Sequence, residues 1–88
     1  MNVEFRKSFI KDLKSISDKN LLRRVKSVIE IVEKSESLTE VANLKKLKAN
    51  ENHFRLRIGE YRLGFVLDTE KVIFVRFLHR KDIYKFFP

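Results

Sequence analysis

Eighty-eight residues without a cysteine make one domain with a single core, and they exclude a disulfide framework or a thiolate metal site. A hydrophobic content of 43% argues against disorder, and two glycines and one proline imply short loops between regular elements. No apolar run nears the roughly 18 residues of a membrane span, and Met1-Asn2-Val3-Glu4-Phe5 lacks a signal peptide's apolar stretch, so a cytoplasmic protein is expected.

In chain order, Asn2 to Phe5 predicts a short strand with Val3 and Phe5 on one side. Phe9, Leu13 and Ile16 recur at spacings of four and three, a helical stripe with Lys11, Lys14 and Lys19 off it. Ser17-Asp18 ends that helix and caps the next. Leu21, Val25, Val28, Ile29 and Val32 line one face of a second helix, from about Leu21 to Lys34. Their short connection predicts an antiparallel helix hairpin. Thr39-Glu40-Val41-Ala42 predicts a helical turn, and Leu44 to Lys48 reads as a connector. Three strands are expected at about 53–58, 61–67 and 71–78. Gly59-Glu60 is a two-residue loop with glycine first, the type II′ pattern, and Asp68-Thr69-Glu70 reads as a three-residue loop. Lys81 to Phe87 predicts a short helix or turn. The expected architecture is α+β over residues 1–88: an N-terminal strand, the helix hairpin packed on one face of a twisted, mainly antiparallel sheet, and a short C-terminal helix.

The charge is uneven. Residues 1–44 hold nine basic and seven acidic groups, residues 45–88 eleven and five. The strand-rich half therefore carries most of the positive field, which favours encounter with polyanions or serves as a solvated surface.

Loop length and alternation place that charge. The Gly59-Glu60 loop sets Ile58 against Tyr61, Arg57 against Arg62, Leu56 against Leu63, Arg55 against Gly64 and Phe54 against Phe65. Directly paired residues share a face. Phe54, Leu56, Ile58, Tyr61, Leu63 and Phe65 then form an apolar face for the helices to cover, and Arg55, Arg57, Arg62 and Gly64 form the other. Gly64 leaves a gap beside Arg55 where a bulky ligand can approach the backbone. A three-residue second loop pairs Arg62 with Arg76, adding Arg76 to the basic face together with Val72 and Phe74, and Arg80 continues it. Arg57 beside Arg62 costs some tenths of a kcal/mol in repulsion. Either the pair is solvated or neutralised by Glu51 or Glu60, or it clamps a phosphate, whose oxygens match the planar guanidinium fork. Tyr84 lies four residues after Arg80, on the same side of any helix there. It is a core aromatic or a reactive phenol. His79 titrates near this site or bonds backbone, and His53 reads as structural or exposed.

Phe54-Arg55-Leu56-Arg57-Ile58-Gly59-Glu60-Tyr61-Arg62-Leu63-Gly64-Phe65, followed by His79-Arg80-Lys81-Asp82-Ile83-Tyr84, resembles the RelE family of bacterial type II toxin–antitoxin systems, within the RelE/ParE superfamily. The resemblance extends over nearly the whole chain. It implies an endoribonuclease that cleaves mRNA in the ribosomal decoding site without a metal or other cofactor. The 2′-hydroxyl attacks the neighbouring phosphate, leaving a 2′,3′-cyclic phosphate and a 5′-hydroxyl. It also implies a cognate antitoxin protein. Residue by residue, it implies a phosphate clamp at Arg62, a late arginine near the leaving oxygen at Arg80 and a catalytic tyrosine at Tyr84. Basic RNA-binding positions fall at Arg55 and Arg57, and at Lys48 before that strand. Some members have lysines in the strand, one serving as proton acceptor. Arginine cannot take that proton, leaving Tyr84, His79 or a carboxylate such as Glu51, with Tyr84 favoured. ParE toxins share the fold but act on DNA gyrase without nuclease chemistry, and the Arg80-to-Tyr84 tail argues for the nuclease branch. A plain nucleic-acid-binding module and a toxin without activity are the remaining alternatives.

Overall fold

The computed structural model describes residues 1–47 and 52–88. Five strands form one mixed sheet: β1 (Asn2–Phe5), β2 (Leu44–Lys46), β3 (His53–Ile58), β4 (Tyr61–Asp68) and β5 (Lys71–His79). Their order across the sheet is β1-β5-β4-β3-β2, with β1 parallel to β5 and the other neighbours antiparallel. Helices α1 (Lys7–Lys14) and α2 (Lys19–Lys34) lie on one face, and α3 (Arg80–Phe86) follows β5 directly. None of these helices is long and apolar enough to cross a membrane.

Asp18 starts α2 as the sequence indicates, its carboxylate accepting the N–H groups of Asn20 and Leu21 at 2.9 and 3.1 Å. Phe9 from α1 and Leu21, Val25 and Val32 from α2 are buried against Leu56, Ile58, Leu63, Phe65, Val72, Phe74 and Phe77. Each such side chain contributes about 1.5–3 kcal/mol when fully buried. The stripe overreaches at Ile16: α1 ends at Lys14, and Ile16 packs against the core from beyond the helix.

All five β3–β4 pairs derived from the Gly59-Glu60 loop are present. Gly59 has a φ of 60° whereas Glu60 does not take a positive φ, the combination a type II′ turn requires. The β4–β5 pairing departs from expectation twice. Asp68 pairs with Lys71, so the loop is Thr69-Glu70 and one residue shorter than predicted. This puts Val72 and Phe74 in the main core rather than on the basic face. A bulge then restores the parity: Phe65 pairs with Phe74 and Gly64 with Arg76, leaving Val75 as the extra residue. Arg62 therefore faces Leu78, not Arg76. The connector expected at 44–48 contains β2, which pairs Lys45 with Arg55. The face opposite the hairpin carries its own apolar cluster, with Leu47, Ile83 and Phe87 buried against Val66, Val75 and Leu78.

β1 covers β5 only as far as Phe74, and α1 closes the rest of that edge with side chains. Ser8 Oγ donates to the Val75 carbonyl at 2.6 Å, and Asp12 accepts the Phe77 N–H at 2.9 Å. Two ladder groups that an edge strand would leave open are thereby satisfied.

Candidate functional site

The second face of β3 and β4 holds a groove of about 350 Å³ lined by Asn43, Lys45, Arg55, Arg57, Arg62 and Tyr84. The strands supply the arginines by alternation, and α3 supplies the tyrosine. Helix α3 is seated by Ile83 and Phe87, 0% and 4% exposed, and capped by His79 Nδ1, which accepts the Lys81 N–H at 3.2 Å. Tyr84, next to Ile83 in the chain, is 58% exposed. Its ring is not core: the Arg55 guanidinium lies 4.6 Å from the ring centroid, a cation–π contact.

Arg62 Nη1 donates to the carbonyls of Gly59 and Tyr61, both at 3.0 Å, so the guanidinium is held over the turn. Its Nε–H and Nη2 make no hydrogen bond among the described residues. Arg57 is held by Asn43, whose carbonyl accepts the Arg57 N–H at 3.0 Å and whose Oδ1 accepts from Nη2 at 3.3 Å. Asn43 does this from a left-handed φ of 63°, a conformation asparagine tolerates better than most residues. Arg80 lines a second groove of about 370 Å³, with Arg24, Asn43, Arg57, Gly59, Glu60 and Arg62. Its Nε lies 3.1 Å from Glu60 Oε2, in an exposed pair worth at most about 1 kcal/mol. The two grooves share Asn43, Arg57 and Arg62. Guanidinium groups fixed by neutral acceptors keep their charge available, and their planar forks match the paired oxygens of a phosphate or carboxylate.

Residues 3–84 match the model of the ParE toxin family of type II toxin–antitoxin systems. The chain is 42% identical over 89 residues to toxin RelE3 of Methanocaldococcus jannaschii, covering all of both proteins. The chain belongs to the RelE/ParE toxin family. Among solved structures, the RelB–RelE antitoxin–toxin complex from Methanococcus jannaschii superposes with a TM-score of 0.83 at 40% identity, over 97% of this chain and 99% of that one. The archaeal RelE–RelB complex from Pyrococcus horikoshii OT3 shares the fold, with a TM-score of 0.74 at 23% identity over 90% and 93% of the two chains.

Several residues singled out in this toxin stand elsewhere. Arg76 is engaged by Asp12, with Nε–Oδ2 at 2.8 Å and Nη2–Oδ1 at 3.1 Å, and its guanidinium also lies 5.7 Å from the Phe86 ring. The Asp12 hydrogen bonds, and then its charge, outweigh desolvation and hold the Arg76 pKa above its ordinary value. Already neutralised, Arg76 joins α1, β5 and α3 and lines neither groove. His79 pairs with Tyr61 and meets its ring edge-on at 5.6 Å, on the hairpin side of the sheet and outside both grooves. His53 packs against Phe87, with ring centroids 5.5 Å apart. Lys48 and Glu51 lie outside the described residues. Asn43, Lys45 and Arg24 line the grooves without having been singled out. Lys45 was hidden by the unrecognised β2, Asn43 by its ordinary place in a loop, and Arg24 by being one of several cations off a helical stripe. Among the described residues no group of three or more His, Asp or Glu side chains is placed to hold a metal ion.

The gap expected at Gly64 is filled from within. A Cβ there would stand 2.6 Å from Phe87 Cδ2 and 2.7 Å from Cγ, so the ring lies directly on the glycine backbone. Gly64→Ala is expected to push Phe87 out and loosen α3, costing about 1–3 kcal/mol as overpacking does. Urea unfolding measures this, and Phe87→Leu in the same chain should recover part of the loss.

Proposed function

We propose that this toxin is an endoribonuclease that cleaves mRNA in the ribosomal A site by a metal-independent mechanism. The observation that carries the reading is the shared groove: Arg55, Arg57 and Arg62 line it together with an exposed Tyr84. The arginines hold the scissile phosphate and stabilise the charge gained when the 2′-oxygen attacks phosphorus. Tyr84 Oη takes the 2′-hydroxyl proton as its own proton passes to water. The P–O5′ bond breaks, Arg80 at the adjoining groove stabilises the departing oxygen by its charge, and that oxygen takes its proton from water. The products are a 2′,3′-cyclic phosphate and a 5′-hydroxyl. A small cognate antitoxin is the inferred protein partner, by analogy with the RelB that accompanies the Methanococcus jannaschii relative.

The family match to ParE toxins supports a second reading, a protein-binding inhibitor of DNA gyrase without nuclease chemistry. Translated reporter RNA, incubated with the toxin and mapped for cut sites and end chemistry, decides between them. Cyclic-phosphate ends support the nuclease. Intact RNA together with blocked gyrase supercoiling would replace it with the second reading.

A further inference from the structure

The second groove is not needed to hold one scissile phosphate, yet Arg24, Arg57, Arg62 and Arg80 all line it. Its lining includes one carboxylate, Glu60, which is already paired with Arg80. Arg24 reaches it from α2, on a different element from every other cation there. Its Nη1 lies 3.1 Å from where a Cβ would stand on Gly59. Among the described residues Arg24 has no carboxylate in ion-pair contact. Four guanidinium groups beside one carboxylate repel one another, a cost that folding does not explain and that an anion offsets. A strand leaving the first groove passes over the shared Arg57 and Arg62 and enters the second without leaving the cationic surface.

We propose that this groove is a second phosphate subsite, in which Arg24, with Arg80, binds a phosphodiester neighbouring the scissile one on the same RNA strand. The inference rests on the reading of the first groove as the site of the scissile phosphate. Glu60 holds Arg80 in place until the strand's phosphate displaces it.

The test uses the full-length toxin and 2′-O-methyl RNA, which retains the phosphates and cannot be cleaved. A hexanucleotide is titrated by fluorescence anisotropy over a series of salt concentrations. A dinucleoside monophosphate, with a single phosphate, is titrated by NMR. Arg24→Ala should weaken hexanucleotide binding about tenfold, as loss of one charged hydrogen-bonding partner does. It should also flatten the salt dependence by about 0.7 in log–log slope, one phosphate contact on a single strand. The dinucleoside monophosphate should bind as before. Lys26→Ala, which removes an equal charge from α2 outside both grooves, should change neither ligand. Equal losses for both ligands, no loss for the hexanucleotide, or the same loss in Lys26→Ala would overturn the subsite. Arg55, which lines only the first groove, separates the two readings. If Arg55→Ala leaves the dinucleoside monophosphate unaffected, the reading of the first groove fails instead.

Discussion

Tyr84→Phe is expected to slow RNA cleavage by about 100–10,000-fold, the range for loss of one acid–base group. The substitution removes a single oxygen. The ring keeps its place over Arg55, because a cation–π contact uses the ring face and not the hydroxyl. It also leaves the core intact, since Ile83 and Phe87, not Tyr84, seat α3. Stability should therefore stay within about 0.5 kcal/mol of the parent, as for most exposed substitutions. RNA affinity should hold as well, because the phosphate contacts come from arginines and not from the Tyr84 hydroxyl. The measurement is single-turnover cleavage of translated reporter RNA, with thermal unfolding alongside. A rate equal to the parent's would remove Tyr84 from the chemistry and return the choice of base to the alternatives. Among these, His79 is placed poorly, since it faces Tyr61 across the sheet from the groove.

How far the sequence reached depends on how parity is set in each part of the sheet. Between β3 and β4 a glycine-first loop of two residues fixes the register, and strict alternation leaves one assignment of faces, so the Arg57–Arg62 pair was legible. Between β4 and β5 neither condition holds. Thr69 takes a positive φ of 58° despite its β-branch, which allows a shorter loop than its residue type suggests. Val75 is apolar and the face opposite the hairpin has its own apolar cluster, so hydrophobic pattern cannot reveal the bulge. The two departures offset each other, which is why Arg76 lies on the expected side while its partner differs. β2 has three residues, too few for a period to show. Asp12 was missed because a lone carboxylate among lysines on a short helix reads as solvated. Its partners Arg76 and Phe77 are 64 and 65 residues away, and only the fold brings them together.

That carboxylate joins parts of the fold that are far apart in the chain, so a single change there reaches widely. Asp12→Ala is expected to destabilise the protein by about 3 kcal/mol, at the lower end of the cost of breaking a buried ion pair. The lower end applies because the Arg76 side chain keeps 26% of its surface exposed and can draw on water. Two losses combine. Arg76 is left charged and only partly solvated, and the buried Phe77 N–H is left without an acceptor. Against a total stability of about 5–15 kcal/mol this is a large fraction, and it lowers Tm by about 12 °C or more at about 4–8 °C per kcal/mol. Asp12→Asn separates the two losses, since its amide oxygen can still accept from Phe77 but carries no charge for Arg76. If closing the β5 edge dominates, the asparagine variant should recover most of the stability. If the ion pair dominates, it should behave like the alanine variant. Urea unfolding of the three chains reads this directly, and an Asp12→Ala protein within about 0.5 kcal/mol of the parent would show that α1 is held by its apolar face alone. The consequence reaches the groove, because Arg76 also stacks on Phe86 of α3. Freed from Asp12, Arg76 no longer ties α3 to the hairpin side, and the helix that carries Tyr84 then relies on Ile83 and Phe87 for its position.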